Sequence, residues 1–216
     1  SYFQSKASFL KIRIKNLKLQ KNLVISIMCI GFAPFSMQLA NSLQNVILNK
    51  SLMTYGGDIA LSAMGIVGSI ATLMFMPILG VSQGAQPIIG FNYGAQQFDR
   101  VKETLKKAII VGIVIATFST AVVHLWPTQI AGMFSNNNVK LNKLTAHAMS
   151  LFFLMFPVAG FQIVGSQYFQ AVGKPIQSTI LGLSRQLLVL IPLLLILPRF
   201  WGTEGVWRTP PIADVL

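Results

Sequence analysis

Five long apolar segments limit most strongly how this chain can fold. They lie at roughly 23–48, 59–91, 108–126, 144–171 and 176–198. Each is long enough to cross the hydrocarbon core of a bilayer, about 30 Å thick, as a helix. Backbone polar groups must be paired within the protein at that depth, so only helices and closed barrels can span it. The run 187–197 is apolar throughout, whereas barrel strands alternate. The sequence predicts an all-α, polytopic helical membrane protein with five complete transmembrane helices.

The composition supports this class and excludes others. Hydrophobic residues make up 53% of the chain and charged residues 10%, which is too apolar for a soluble domain of this size. The net charge of +12 could indicate a nucleic-acid partner. The basic residues lie beside the apolar segments, however, so we expect contact with a lipid bilayer and no nucleic acid. The single cysteine, Cys29, lies within an apolar segment, and neither a metal site nor a cofactor is predicted.

The distribution of Lys and Arg predicts the orientation. Cytoplasmic connections of multi-pass proteins carry an excess of these residues. The regions 6–21, 100–107 and 174–185 contain twelve of the seventeen basic residues, and the opposite side contains five. We therefore expect a multi-pass protein of the cell membrane with residues 1–22 on the cytoplasmic side.

Residues 1–22 are predicted to be a basic cytoplasmic connector. Their Lys and Arg residues are interleaved with apolar ones, which fits either a helix on the membrane surface or a solvated connector. The chain begins at Ser1 without an initiator Met and stops at Leu216, after residues typical of the start of a sixth helix. The sequence therefore has the features of a fragment.

The connections between the apolar segments are expected to be short and polar. No soluble domain fits between them. They are predicted from their polar, Gly and Pro residues at 49–58, 98–107, 127–143 and 170–175.

A glycine-rich stretch, 80–95, closes the second apolar segment. Its small residues would let helices approach closely, and its amides could hydrogen-bond across the contact. This fits a packing seam. The same composition, with its proline, fits a point where the helix bends during a transport cycle, and both interpretations can hold. The residues of this candidate motif are Gln83, Gly84, Gln86, Pro87, Gly90, Asn92, Tyr93 and Gly94.

Polar side chains on one face of the first helix form a candidate cavity wall. Gln38, Asn41 and Asn45 occur at helical spacing and therefore share a face. They would either hydrogen-bond neighbouring helices or line a central cavity. Gln44 lies off this face and is expected to bond another helix.

The fourth helix carries a second candidate stripe: Met155, Ala159, Gln162 and Ser166. Flexible Met side chains with Phe nearby suit loosely specific binding of apolar molecules, and core packing is the alternative. The two stripes are expected to meet across the interior. The substrate-binding candidates are thus Gln38, Asn41, Asn45, Met155, Gln162 and Ser166.

The charged residues indicate neither catalysis nor ion coupling within this chain. Arg185 lies inside an apolar segment, where it would extend to the cytoplasmic face or pair with Gln186 or an acid outside this sequence. No nucleophile triad, nucleotide-binding loop or metal cluster is recognisable, so an enzyme is not predicted. All five acidic residues are expected in connections or at helix ends: Asp58, Asp99, Glu103, Glu204 and Asp214.

Several of these stretches resemble the multidrug and toxic compound extrusion (MATE) family. The stretch 83–95 resembles the signature at the cytoplasmic end of that family's helix 8, and 170–175 is similar to its link between helices 10 and 11. Residues 133–135, 205–207 and 211–214 also match its pattern.

The resemblance implies that residues 23–216 form the C-terminal lobe of a twelve-helix transporter, with helices 7 to 11 and the lead-in to helix 12. It implies secondary active export of organic cations or other xenobiotics, coupled to protons or sodium. Several members carry a membrane Glu on helix 7 and Asp on helix 10, where this chain has Ser42 and the acid-free segment 157–159. The coupling ion is therefore expected in the missing N-terminal lobe.

Two alternatives stay open. A lipid-linked sugar flippase of the same superfamily should present several Arg or Lys in the membrane to hold a pyrophosphate, and Arg185 is the one clear candidate. A nonfunctional membrane fragment is the other alternative, and sequence upstream of Ser1 would decide against it.

Overall fold

The computed structural model describes residues 20–135 and 138–215, so the predicted connector lies almost wholly outside the described residues. The described part contains helices and no β-strand, which confirms the predicted all-α class. In chain order the elements are α1 (Lys21–Gly94), α2 (Phe98–Leu125), α3 (Pro127–Gly132), α4 (Val139–Phe152), α5 (Phe156–Ala171), α6 (Pro175–Leu183), a π-helical segment (Ser184–Leu190), α7 (Ile191–Trp201) and α8 (Thr203–Val215).

Gly57 divides α1 into two arms, a first arm before it and a second arm after it. Its backbone has φ 64° and ψ −164°, a conformation that favours a residue without Cβ. The apolar part of α1, Phe35–Gly94, is 60 residues long. Such a helix would measure about 90 Å without a break, roughly three times the thickness of the hydrocarbon core. The break therefore lets α1 supply the first two predicted spans.

The helices account for the predicted apolar segments. Three helical stretches of the described residues are long and apolar enough to cross a membrane: Phe35–Gly94, Phe98–Leu125 and Ile176–Trp201. The pair α4 and α5 would form a fourth span, bent by 54°. Because Gly57 splits the first stretch, these elements correspond to five spans.

Two predicted connections are wrong in extent. Residues 49–56 continue the first arm as helix, and α2 begins at Phe98, which leaves only 95–97 outside helices. A third, 127–143, contains α3 and the start of α4. Polar residues caused the error, because acidic side chains such as Asp99 also stabilise the first turn of a helix.

The bend between α4 and α5 interrupts what the sequence presents as one apolar segment. Pro157 is the second residue of α5, and proline cannot donate the backbone hydrogen bond that would continue α4. Aromatic packing holds the bend: the ring centroid of Phe156 lies 4.7 Å from that of Phe75 and 5.1 Å from that of Phe153. Met155 lies in this bend, at the N-cap of α5.

Small residues bring α2 and α5 together in the core. A Cβ added to Gly160 would lie 3.1 Å from the carbonyl oxygen of Gly112 and 3.0 Å from Cβ of Ala116. Backbones approach this closely in membrane bundles when glycine and alanine occupy the contact. The α2–α5 pair therefore forms a rigid support beneath the residues described next.

The last span contains a π-helical segment and turns back into α8. Pro192 follows that segment as the second residue of α7, and its ring would clash with the carbonyl four residues earlier in a regular α-helix. Gly202, with φ 57°, makes the turn to α8. The sequence predicted only the start of a sixth helix here, and the structure has a 13-residue helix.

Candidate functional site

The π-helical segment carries two adjacent polar residues, Arg185 and Gln186, into the interior of the bundle. Gln186 is 7% exposed. Its Nε2 donates to Oδ1 of Asn41 at 2.7 Å and also contacts Oε1 of Gln44. π-helical turns place side chains that a regular helix would direct elsewhere and often occur at functional sites. These contacts tie the last span to the first arm of α1.

Arg185 forms an ion pair with Asp214 of α8, from Nη2 to Oδ1. The predicted partners of Arg185 are therefore wrong, because the acid lies within this sequence. The prediction that every acid lies at a helix end also fails to describe Asp214. Although it is near the end of α8 as described, it is buried among neighbouring helices.

Counting along the helices shows why these two charges meet. Arg185 is ten residues beyond Pro175, the first residue of α6, and Asp214 is eleven beyond Thr203, the first residue of α8. At 1.5 Å per residue, each is about 15 Å from the start of its helix. The two helical paths run in opposite directions around the turn at Gly202, so the charges lie at similar depth. This count could have identified Asp214 from the sequence.

Gln162 connects α5 to the same place. Its Nε2 donates to the backbone carbonyl oxygen of Asp214 at 3.1 Å. The residues Asn41, Gln44, Gln162, Arg185, Gln186 and Asp214 are called the central network below. It joins four elements: the first arm of α1, α5, the π-helical segment and α8.

The predicted binding residues divide into those inside and those outside this network. Asn41 and Gln162 belong to it, and the two predicted stripes are linked through Gln186 and Arg185. Gln38 and Asn45 are exposed on the face they share with Asn41.

The second stripe is only partly as predicted. Ser166 lies on α5, where its carbonyl accepts from Oγ of Ser178 at 3.0 Å. Met155 is in the bend rather than on the helix, so the continuous stripe predicted from Met155 to Ser166 is wrong at its first residue.

The glycine-rich motif forms the end of α1. The backbone remains helical through Pro87. A Cβ on Gly90 would lie 3.2 Å from the carbonyl oxygen of Ala171, and buried Asn92 donates through Nδ2 to the carbonyl of Ile88 at 2.8 Å. The motif residues that face solvent or lipid are Gln83, Gly84, Pro87 and Gly94, while Gln86 and Tyr93 are half-buried.

A separate cluster fixes the beginning of α8. Oε1 of Glu204 lies 3.4 Å from Nε2 of His147, and its Oε2 accepts from Nη2 of Arg208 at 2.9 Å. The Arg208 guanidinium lies 5.5 Å from the ring centroid of Trp201, and His147 packs edge-on against Trp207. This cluster anchors the helix that carries Asp214.

Two surface concavities lie away from the central network. One is lined by residues 96–100. The other lies near α3 and the start of α4 and is lined by Thr128, Ser135 and Asn142 among others. The central network itself lies on an open face, where its most exposed charged group is Arg185, with 39% of its side chain exposed.

Comparison with known proteins gives a consistent result. The family model described as MatE matches residues 34–196. Over its whole length the chain is 25% identical to the multidrug export protein MepA of Staphylococcus saprophyticus and 27% identical to that of Staphylococcus haemolyticus. It covers 47% of each of these proteins, so the chain spans about half the length of the curated relatives it matches.

Solved structures show the same fold. The chain superimposes with a TM-score of 0.82 on the MATE multidrug transporter DinF-BH in complex with rhodamine 6G, at 34% identity, covering 99% of this chain and 48% of the other. With MATE in the bent conformation the TM-score is 0.86 at 21% identity, covering 99% and 47% respectively. The second likeness supports the fold alone.

Proposed function

The chain belongs to the MatE family, and from this premise we propose that it is part of a secondary active multidrug exporter. The observation that carries the proposal is the family match over residues 34–196, which includes the helices that hold most of the central network. The proposed activity is transport rather than catalysis. Residues 23–216 would be the C-terminal lobe of the exporter, with helices 7 to 11 and the lead-in to helix 12, and residues 1–22 the cytoplasmic connector to a preceding lobe.

The proposed substrates are organic cations or other xenobiotics. Neutral amides can hydrogen-bond varied compounds without the desolvation cost of an unpaired buried charge. Gln38 and Asn45 are exposed beside Asn41, so this face offers accessible amide groups next to amides already held in the central network. Exposed apolar side chains on the same arm, such as Phe35 and Leu39, would contact the apolar body of a substrate.

The coupling ion, a proton or sodium, is proposed to bind in the preceding lobe. Among the described residues, Asp214 is the acidic side chain that is buried, and Arg185 neutralises it. A carboxylate that already has a guanidinium partner gains little from binding a second cation.

The same ion pair argues against a lipid-linked sugar flippase. Binding a pyrophosphate would require several uncompensated basic groups. At the depth of the central network the described residues offer Arg185, whose charge is balanced by Asp214.

Drug resistance in cells tests the proposal. The complete reading frame, including any sequence beyond residues 1–216, is expressed in bacteria that lack their own multidrug exporters, and growth is measured in rhodamine 6G. Resistance above the vector control is expected, and it should depend on the proton or sodium gradient. Residues 1–216 alone should give none, because alternating access requires two halves that move against each other. Resistance from residues 1–216 alone would refute the two-lobe interpretation.

A further inference from the structure

The two charges of the central network differ in accessibility. The Arg185 side chain is 39% exposed, whereas that of Asp214 is 10% exposed. A molecule approaching this face therefore meets the guanidinium first, with the carboxylate behind it.

Neighbouring contacts fix the guanidinium in position. Asp214 binds it directly, and Gln162 holds the backbone of Asp214 through a 3.1 Å hydrogen bond. On the other side, the next residue, Gln186, is held by Asn41 at 2.7 Å. Arginine loses little freedom when it binds a planar anion if its plane is already fixed.

The guanidinium is also incompletely satisfied. Its Nε is buried and has no hydrogen-bond partner among the described residues. A guanidinium presents five N–H donors in a planar fork, so a single carboxylate does not exhaust its capacity.

The ion pair discriminates between classes of approaching groups. A cation would have to displace Arg185 to reach Asp214, and removing one partner from a buried pair leaves an uncompensated charge. A carboxylate can instead join the exposed edge of the guanidinium while the existing pair stays intact, and bidentate Arg–carboxylate contacts are among the stronger hydrogen bonds in proteins.

We propose that Arg185 is a specificity-determining residue that binds the carboxylate of apolar, carboxylate-bearing substrates, with Asp214 as its positioning residue. The inference rests on the proposed function and names a substrate class for it. Such substrates include zwitterions whose cationic part is bound elsewhere.

A matched pair of dyes tests this inference. Rhodamine 6G carries an ethyl ester, and hydrolysis gives its free acid, which differs only by the carboxylate. Purified protein from the complete reading frame, in lipid nanodiscs, is titrated with each dye by fluorescence anisotropy. Arg185→Gln should weaken binding of the free acid about tenfold, the loss expected for a hydrogen bond between charged groups, and should leave binding of the ester nearly unchanged.

Asp214→Asn should shift the ratio of acid to ester affinity in the opposite direction. It leaves the guanidinium without its counterion, so the acid should keep its affinity and the cationic ester should lose affinity. A purely structural role would weaken both dyes alike in both variants. Arg199→Gln is the matched control, because Arg199 is an exposed arginine at the end of α7, and it should change neither affinity.

Further variants and outcomes keep the test decisive. If Arg185→Gln does not fold, the double variant Arg185→Gln/Asp214→Asn removes both charges, and it should show the same selective loss of the acid. An unchanged ratio in these variants would overturn the inference and leave the proposed function intact. Failure of the unaltered protein to bind either dye would count against the proposed function itself.

Discussion

Gly205→Ala should separate α8 from α7 and destabilise the protein. A Cβ at this position would lie 2.5 Å from the carbonyl oxygen of Leu197, 2.6 Å from its carbonyl carbon and 2.9 Å from the nitrogen of Pro198. All three are backbone atoms, so no side-chain rotation can relieve the overlap. The two helices must move apart, and α8 carries Asp214 with it.

The size of the effect follows from two opposing contributions. Overpacking of a well-packed interior costs about 1–3 kcal/mol, and contact with rigid backbone places this site at the upper end. Alanine recovers roughly 0.5–1 kcal/mol relative to glycine inside a helix. The net loss of about 2 kcal/mol corresponds to a decrease in melting temperature of about 4–8 °C for a chain of this size.

The assay compares two glycine substitutions in protein from the complete reading frame. Detergent-solubilised samples are heated, and the fraction that remains monodisperse is measured by size-exclusion chromatography. Gly65→Ala is the matched control, since a Cβ at Gly65 would have no atom within 4 Å. That variant should be as stable as the unaltered protein or slightly more so. Equal melting temperatures for the two variants would refute the close contact between α7 and α8.

Two other substitution experiments test the site and the orientation. Asn41→Ala or Gln162→Ala should change which compounds are exported while expression and ion dependence persist, because the hydrogen bond lost by each is worth roughly 0.6 kcal/mol in a membrane protein. Loss of ion dependence with an unchanged drug profile would instead place these amides in the coupling site. After Cys29 is replaced by Ser, a cysteine at Lys102 should react with impermeant reagents only from the cytoplasmic side, and one at Asn137, outside the described residues, only from the external side. The opposite labelling would contradict the orientation inferred from the positive charges.

The sequence was sufficient for the fold class because membrane burial acts on long segments. Runs such as 187–197 are apolar at every position, and a bilayer leaves such runs few structures other than helices. The positions of the helix starts were harder to predict. Polar residues near Asp99 belong equally well to a connection or to the first turn of α2, so the loop before α2 was predicted too long.

The sequence also identified most polar residues of the site but not their partners. Helical periodicity placed Gln38, Asn41 and Asn45 on one face, since that relation is local along the chain. Periodicity cannot specify that Asn41 bonds Gln186, 145 residues away. The bend at Met155 likewise depends on Phe75 packing against Phe156, a contact between distant segments.

Tertiary structure alone decided what the charges do. Arg185 in an apolar segment required some compensation, because an unpaired charge at membrane depth is costly, and this much followed from the sequence. The compensating Asp214 is brought to it by the turn at Gly202 and by the close contact of Gly205 with the backbone of Leu197. These features also leave the guanidinium more exposed than the carboxylate, because the depth of each charge depends on how α8 packs against its neighbours and not on the order of residues along either helix.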